Sequence, residues 1–112
     1  MADRLRICAP SLLEYEIING LVIAQRRGRI NLETILPAVE GFFNLDIPLS
    51  GVDSFFSRMM VLCQTFNLSV YDASYVALAE QEKIPLITAD SRLYHSVNKK
   101  ISWVKWIGDS AL

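Results

Sequence analysis

Two carboxylates stand where chemistry collects in α/β proteins. Asp72 lies in Tyr71-Asp72-Ala73-Ser74-Tyr75, at the start of an Ala-rich helical stretch, and Asp90 ends the apolar run Ile84-Pro85-Leu86-Ile87-Thr88-Ala89-Asp90. In open α/β sheets, functional groups gather where the carboxyl ends of strands meet helix starts. A third acid, Glu16, shares a helix face with Leu12, Leu13, Gly20 and Ile23. A carboxylate on such an apolar face asks for a partner, and Asn19, one turn on, is placed to be one. Three acids that cluster suit a cation, since Mg²⁺ uses one or two carboxylates and completes its shell with water and phosphate oxygens.

Each acid also has a structural explanation. Glu16 and Asn19 could be the edge of a polar stripe. Ser69 and Asp72 have the spacing of an N-terminal box, Asp90 is placed to cap the helix after it, and Ser11 with Glu14 has capping-box spacing. Singly, each acid is more often a cap than a catalyst; together, two acids at neighbouring helix starts and a third on an apolar face favour the functional reading. Other chemistries find little support. His95 is the single histidine and lies among polar residues, where a surface role fits better than a catalytic one. Cys8 and Cys63 have no activating base in view, and no Gly-rich or Gly-Lys-Ser/Thr phosphate loop is present. Met59 and Met60 among phenylalanines read as core or as an adaptable interface.

The elements that must position these groups fit one domain, residues 1–112, with ample core material at 52% hydrophobic residues. Eleven Lys and Arg against twelve Asp and Glu leave a net charge of -1, which excludes a module that grips nucleic acid by overall charge. Any such contact must be local: Arg26, Arg27 and Arg29 form one basic cluster, and Lys99 with Lys100 a smaller one, although a solvated helix end explains both as well. Two distant cysteines suggest reduced thiols in a cytoplasmic protein. No apolar run reaches membrane-spanning length and no signal core follows the N-terminus.

Periodicity predicts a helix from Ser11 to about Arg27, stopped by Gly28, and a second from Asn31 through Phe43, kinked or interrupted at Pro37. Leu45–Leu49 reads as a short edge strand. Helices are expected over Val52 to Phe66, over Ser69 to Glu82 with Ser69 as its cap, and over Ser91 to Val97. Strands are expected at Ile84–Thr88 and Ser102–Ile107. Alternating helices and strands imply an α/β fold with a parallel sheet flanked by helices.

Tyr71-Asp72-Ala73 leading into an Ala-rich helix, then Pro85-Leu86-Ile87-Thr88-Ala89-Asp90-Ser91-Arg92-Leu93, resembles the C-terminal half of PIN-domain proteins of the VapC toxin type. Pro10-Ser11-Leu12-Leu13-Glu14-Tyr15-Glu16-Ile17-Ile18-Asn19-Gly20-Leu21 is similar to that family's Glu-bearing helix, with Glu16 rather than Glu14 at the Glu-apolar-x-Asn-x-Leu position. The resemblance runs from about Cys8 to Trp106. It implies a PIN-like three-layer α/β fold and a Mg²⁺- or Mn²⁺-dependent endoribonuclease, the toxin of a toxin and antitoxin pair. RNA would be its substrate, an antitoxin protein its partner, and a homodimer its assembly. It also implies that Glu16, Asp72 and Asp90 bind metal and position a water, with Thr88 as the hydroxyl beside the last acid. Such a metal lowers the pKa of its water and offsets charge on the phosphate during in-line attack.

The family's fold begins with a strand ending in a first catalytic Asp. Only fifteen residues precede Glu16 here, so that strand and acid are expected to be missing, and Asp3, with no β-branched run before it, does not replace them. On this reading the chain is truncated at its N-terminus relative to the family and its site is incomplete, which leaves three explanations open: a natural remnant without activity, a misassigned start codon, or a half completed by a partner or by strand exchange. The alternative is a catalytically silent PIN-like binding protein that engages an antitoxin-like partner or itself. An exposed apolar surface around Phe55, Phe56, Met59 and Met60 would favour that alternative.

Overall fold

The computed structural model describes residues 8–109. The expectation about a missing first strand concerns residues before these and lies outside the described ones. The chain is a mixed α/β fold that divides into two compact units, one running to Ser50 and the other starting at Gly51.

The first unit contains β1 (Ala9–Pro10), α1 (Leu12–Arg26), α2 (Leu32–Asn44) and β2 (Leu49–Ser50). β1 pairs in parallel with β2, Ala9 opposite Leu49 and Pro10 opposite Ser50. The N–H groups of Ala9 and Ser11 donate to the carbonyls of Pro48 and Ser50 at 3.0 and 2.9 Å. Pro10, which has no N–H, falls between these two donors, so the ladder loses nothing by it. The parallel pairing requires a crossover, which α1 and α2 supply by packing on each other.

Helix α1 ends as its glycine predicts. Gly28 adopts φ +73°, its N–H donates to Gln25 and that of Arg29 to Ala24, the paired closing bonds of a left-handed helix end. Its start differs from expectation. Ser11 is in the right-handed helical region and its side chain caps nothing, because a reciprocal box needs an extended N-cap residue. Helix α2 does begin at an Asn31 cap, whose side chain accepts the Thr34 N–H at 3.2 Å. It continues without interruption across Pro37. The bond that Pro37 cannot make would have gone to the Glu33 carbonyl, and both residues are exposed, so water can satisfy that oxygen. The predicted strand at Leu45–Leu49 shrinks to Leu49–Ser50, since Asp46 at φ +50° breaks the extended backbone a strand needs.

The second unit starts with a 3₁₀ turn, Val52–Ser54, followed by α3 (Phe56–Phe66), α4 (Val70–Glu82), β3 (Leu86–Thr88), α5 (Ser91–Val97), β4 (Val104–Trp106) and a last 3₁₀ turn at Ile107–Asp109. One helix was expected over Val52–Phe66; the backbone instead breaks at Phe55, φ -143°. β3 and β4 pair in parallel, with Leu86, Ile87 and Thr88 opposite Val104, Lys105 and Trp106, and α5 is their crossover. Strand β3 begins two residues later than predicted because Ile84 is spent closing α4: its N–H donates to Ala79, across Lys83 at φ +56°.

Helix α4 organises this unit. Ala73, Ser74, Val76, Ala77, Leu78 and Ala79 are all buried, which places them on more than one face of the helix. Small side chains let neighbours come close, and α3 packs along it. Phe55, Met59 and Leu62, spaced i, i+4, i+7, are buried, while Phe56 and Met60, one residue round the helix, are 54% and 51% exposed. The phenylalanine and methionine cluster is therefore half core and half surface. Arg58 of α3 reaches Glu80 of α4 through two bonds of 2.6 and 3.1 Å, a forked pair exposed enough to contribute only about 0.5–1 kcal/mol.

Leu62 is fully buried and Leu36 of α2 is 70% exposed, and this contrast makes the packing testable. Leu62→Ala should lower unfolding stability by about 2–5 kcal/mol, whereas Leu36→Ala should stay within about 0.5 kcal/mol, as read from urea denaturation followed by circular dichroism. Equal losses would contradict the assigned core.

Candidate active site

Asp90 follows β3 and starts α5. Its backbone is extended, φ -85° and ψ 103°. One carboxylate oxygen, Oδ1, accepts the N–H groups of Arg92 and Leu93 at 3.0 and 3.1 Å. The Asp90 N–H donates in turn to Thr88 Oγ1 at 3.0 Å. The acid is thus held from both sides, by the strand residue before it and by the helix after it. The capping explanation is correct as local structure, yet it uses one oxygen and leaves Oδ2 with capacity for another ligand.

Asp72 sits in the first turn of α4. Ser69, extended at φ -66° and ψ 158°, caps that helix by accepting the Asp72 N–H at 3.1 Å. Asp72 is half-buried. The residues just inside it are packed: Ala73 is buried, and Ser74, also buried, satisfies its hydroxyl on the Tyr71 carbonyl at 2.6 Å. Strand β3 follows α4 and packs on it, with Thr88 as its last residue and Asp90 just beyond it. Asp72 and Asp90 belong to the same compact unit, each fixed at a helix start by a hydroxyl-bearing neighbour. Among the described residues of this unit, no three His, Cys, Asp or Glu side chains gather as a ready metal cage. Asp72 and Asp90 each offer carboxylate oxygens, the donor type that suits a hard cation completing its shell with water.

Glu16 is on α1, in the other unit. It is exposed, as is Asn19, and no residue of α1 is fully buried. The desolvation that would make a carboxylate costly there does not arise. Arg26 ends α1 and Arg27 and Arg29 flank the Gly28 turn, all three exposed. A helix C-terminus favours such cations by itself. His95 is exposed on α5, its Nδ1 2.7 Å from the Ser91 carbonyl. A cavity of about 370 Å³ lies at the α4 to β3 turn, lined by Ala79, Glu80, Lys83, Ile84, Pro85 and Trp103. It opens at the start of β3, whereas Asp90 follows the strand's end, and its one carboxylate is tied to Arg58. It is therefore not part of the acidic site. No helix among the described residues is long and apolar enough to cross a membrane.

Comparison with known proteins places this arrangement. The chain is 38% identical over 92 residues to ribonuclease VapC9 of Mycobacterium tuberculosis, an alignment covering 82% of this chain and 69% of that protein. A VapC ribonuclease of Mycobacterium bovis matches to the same extent. Ribonuclease VapC12 of Mycobacterium tuberculosis is 35% identical over 99 residues, covering 86% of this chain and 75% of that protein. No protein-family model matches the chain. The identity and coverage show that the chain belongs to the VapC-type PIN-domain family, the family its acidic motifs resemble.

The cap at Asp90 can be tested by substitution. Asn is as good an N-cap as Asp, so Asp90→Asn should unfold within about 0.5 kcal/mol of the wild type. Asp90→Ala should lose about 1 kcal/mol. Thermal melts of the two variants side by side check this, and equal losses would mean that the cap contributes nothing.

Proposed function

We infer that this protein is a VapC-type ribonuclease, the toxin of a toxin and antitoxin pair, with RNA as substrate and an antitoxin protein as partner. Membership of the family supports the reaction class. The observation that carries the site is the setting of Asp90, fixed between Thr88 and the first N–H groups of α5 with one carboxylate oxygen still open. Asp72 and Asp90 are the metal-holding acids and Glu16 the third, which binds metal or positions the attacking water. Mg²⁺ or Mn²⁺ is the cofactor, Thr88 and Asn19 are supporting groups, and Arg26, Arg27 and Arg29 are weak RNA contacts. The protein acts in the cytoplasm and as a homodimer.

When bound, the ion supplies an acidified water and offsets phosphate charge. The chain's own residues do the positioning. Asp90 gains its orientation from backbone donors, so its carboxylate need not reorganise on each turnover, an advantage for any electrostatic role. Ser69 holds the backbone of Asp72 in the first turn of α4. A catalytically silent binding protein is not favoured, because two of the four residues it calls on, Phe55 and Met59, are buried.

Mn²⁺ binding followed by electron paramagnetic resonance tests the site, and cleavage of single-stranded RNA tests the activity. Asp72→Asn with Asp90→Asn should abolish specific Mn²⁺ binding. Asp90→Asn alone should slow cleavage on the order of a hundredfold, equivalent to about 2–3 kcal/mol of transition-state stabilisation. Unchanged Mn²⁺ binding in the double variant would refute the assignment of these two acids.

A further inference from the structure

The chain's net charge of -1 conceals an asymmetry within it. From Ser91 to Gly108 there is no Asp or Glu, but there are Arg92, Lys99, Lys100 and Lys105. All four are exposed, and the ion pair found among the described residues, Arg58 with Glu80, involves none of them. Helical winding continues past the end of α5, since the N–H groups of Asn98 and Ile101 donate to the carbonyls of Tyr94 and Val97. Arg92, His95, Ser96 and Lys99, spaced i, i+3, i+4 and i+7, therefore lie on one stripe. That stripe is exposed throughout, while Leu93, Val97 and Ile101 face the core.

Aromatic rings adjoin this stripe. His95 packs edge-on to Tyr94 with centroids 5.6 Å apart, and Tyr94 meets Trp106 at 5.9 Å. Trp106 is the registered partner of Thr88 in the parallel pair, so the ring cluster begins level with the residue that holds Asp90. Tyr94 and Trp106 are half-exposed. Because side chains alternate along a strand, Lys105 points to the sheet face opposite Trp106 and Tyr94 and does not belong to this surface.

Unpaired cations in a row beside stackable rings form the composition that binds single-stranded nucleic acid: the cations follow the phosphates and the rings accept bases. We propose that the α5 stripe, Arg92, His95 and Lys99 with Lys100, together with the Tyr94 and Trp106 rings, is the surface that grips single-stranded RNA and leads it to Asp90. This inference rests on the ribonuclease reading and deepens it by assigning where the substrate lies. Over the seven residues from Arg92 to Lys99 the stripe advances about 10 Å along the helix. It starts two residues after the acid, at Arg92.

The test is fluorescence anisotropy with a short labelled single-stranded RNA of mixed sequence, in EDTA so that it is bound and not cut, over a range of salt concentrations. The triple variant Arg92→Ala, Lys99→Ala, Lys100→Ala should bind more weakly, with a slope of log K against log salt shallower by roughly 2, about 0.7 for each lost phosphate contact. Lys105→Ala should bind with a slope like that of the wild type, and Tyr94→Leu should weaken binding without changing the slope. A triple variant that binds with unchanged affinity and slope, while the wild type binds and cleaves RNA with Mg²⁺, overturns this surface and leaves the ribonuclease reading standing. A wild type that neither binds nor cleaves RNA overturns both. Displacement of the RNA by poly-glutamate as effectively as by poly-uridylate would assign the stripe to an acidic protein partner and overturn the proposal.

Discussion

The burial of α4 is the constraint on which the second unit depends. A helix lined by Ala, Ser and Val can be approached closely on several sides, because no long side chain holds its neighbours away. Helix α3 and strand β3 both pack against it. Its two ends are closed by local bonds, Ser69 at the start and the Lys83 turn at the finish. A rod fixed in this way sets where the chain must turn, and the turn sets where β3 starts. Asp72 and Asp90 are separated by eighteen positions in sequence, yet both depend on this one packed element.

At Asp90 a capping role does not preclude a ligand role. A helix start needs an oxygen acceptor, and a carboxylate has two oxygens. Asp90 spends one on the N–H groups of Arg92 and Leu93, and the bonds that make it a cap also fix its second oxygen in space. A carboxylate on a flexible loop would lose conformational entropy on meeting a cation; Asp90 has already lost it in folding. The Thr88 hydroxyl extends the same economy to the backbone of Asp90. Reading an acid as either a cap or a ligand is therefore a false choice wherever the cap uses a single oxygen.

Much of this was legible in the sequence, and the misses have physical causes. Asn31, Ser69, Asp90 and Gly28 act locally, through bonds to residues two or three away, so their spacing alone announces the helix ends they make. Ser11 has the right spacing for a box but the wrong backbone conformation, which no spacing reveals. The strands were read too long because strands of two or three residues carry too little alternation to bound them. Asp46 and Ile84 also serve turns that a hydrophobicity pattern does not show. The pairing of Arg58 with Glu80 joins residues twenty-two apart and could not be read without the packing of α3 on α4. For the site, Asp72 and Asp90 could be placed at helix starts from the sequence. The apolar setting imagined for Glu16 could not be tested there, since a helical wheel shows which residues share a face but not whether anything covers it.

Net charge is a poor guide to what a small protein can hold. Charges interact over about 8–10 Å at ordinary ionic strength, less than the span of a domain, so a ligand responds to the charges beside it and not to the sum. The sum here is -1 because acids are concentrated elsewhere, while the stretch after Asp90 carries cations and no acid until Asp109. The cations around Gly28 stand at a helix C-terminus, which favours them by itself. Arg92, by contrast, lies in the first turn of α5, where the helix dipole disfavours a cation, and no carboxylate among the described residues pairs with it. The helix end gives no reason for a cation in that place. A polyanion running along α5 gives one.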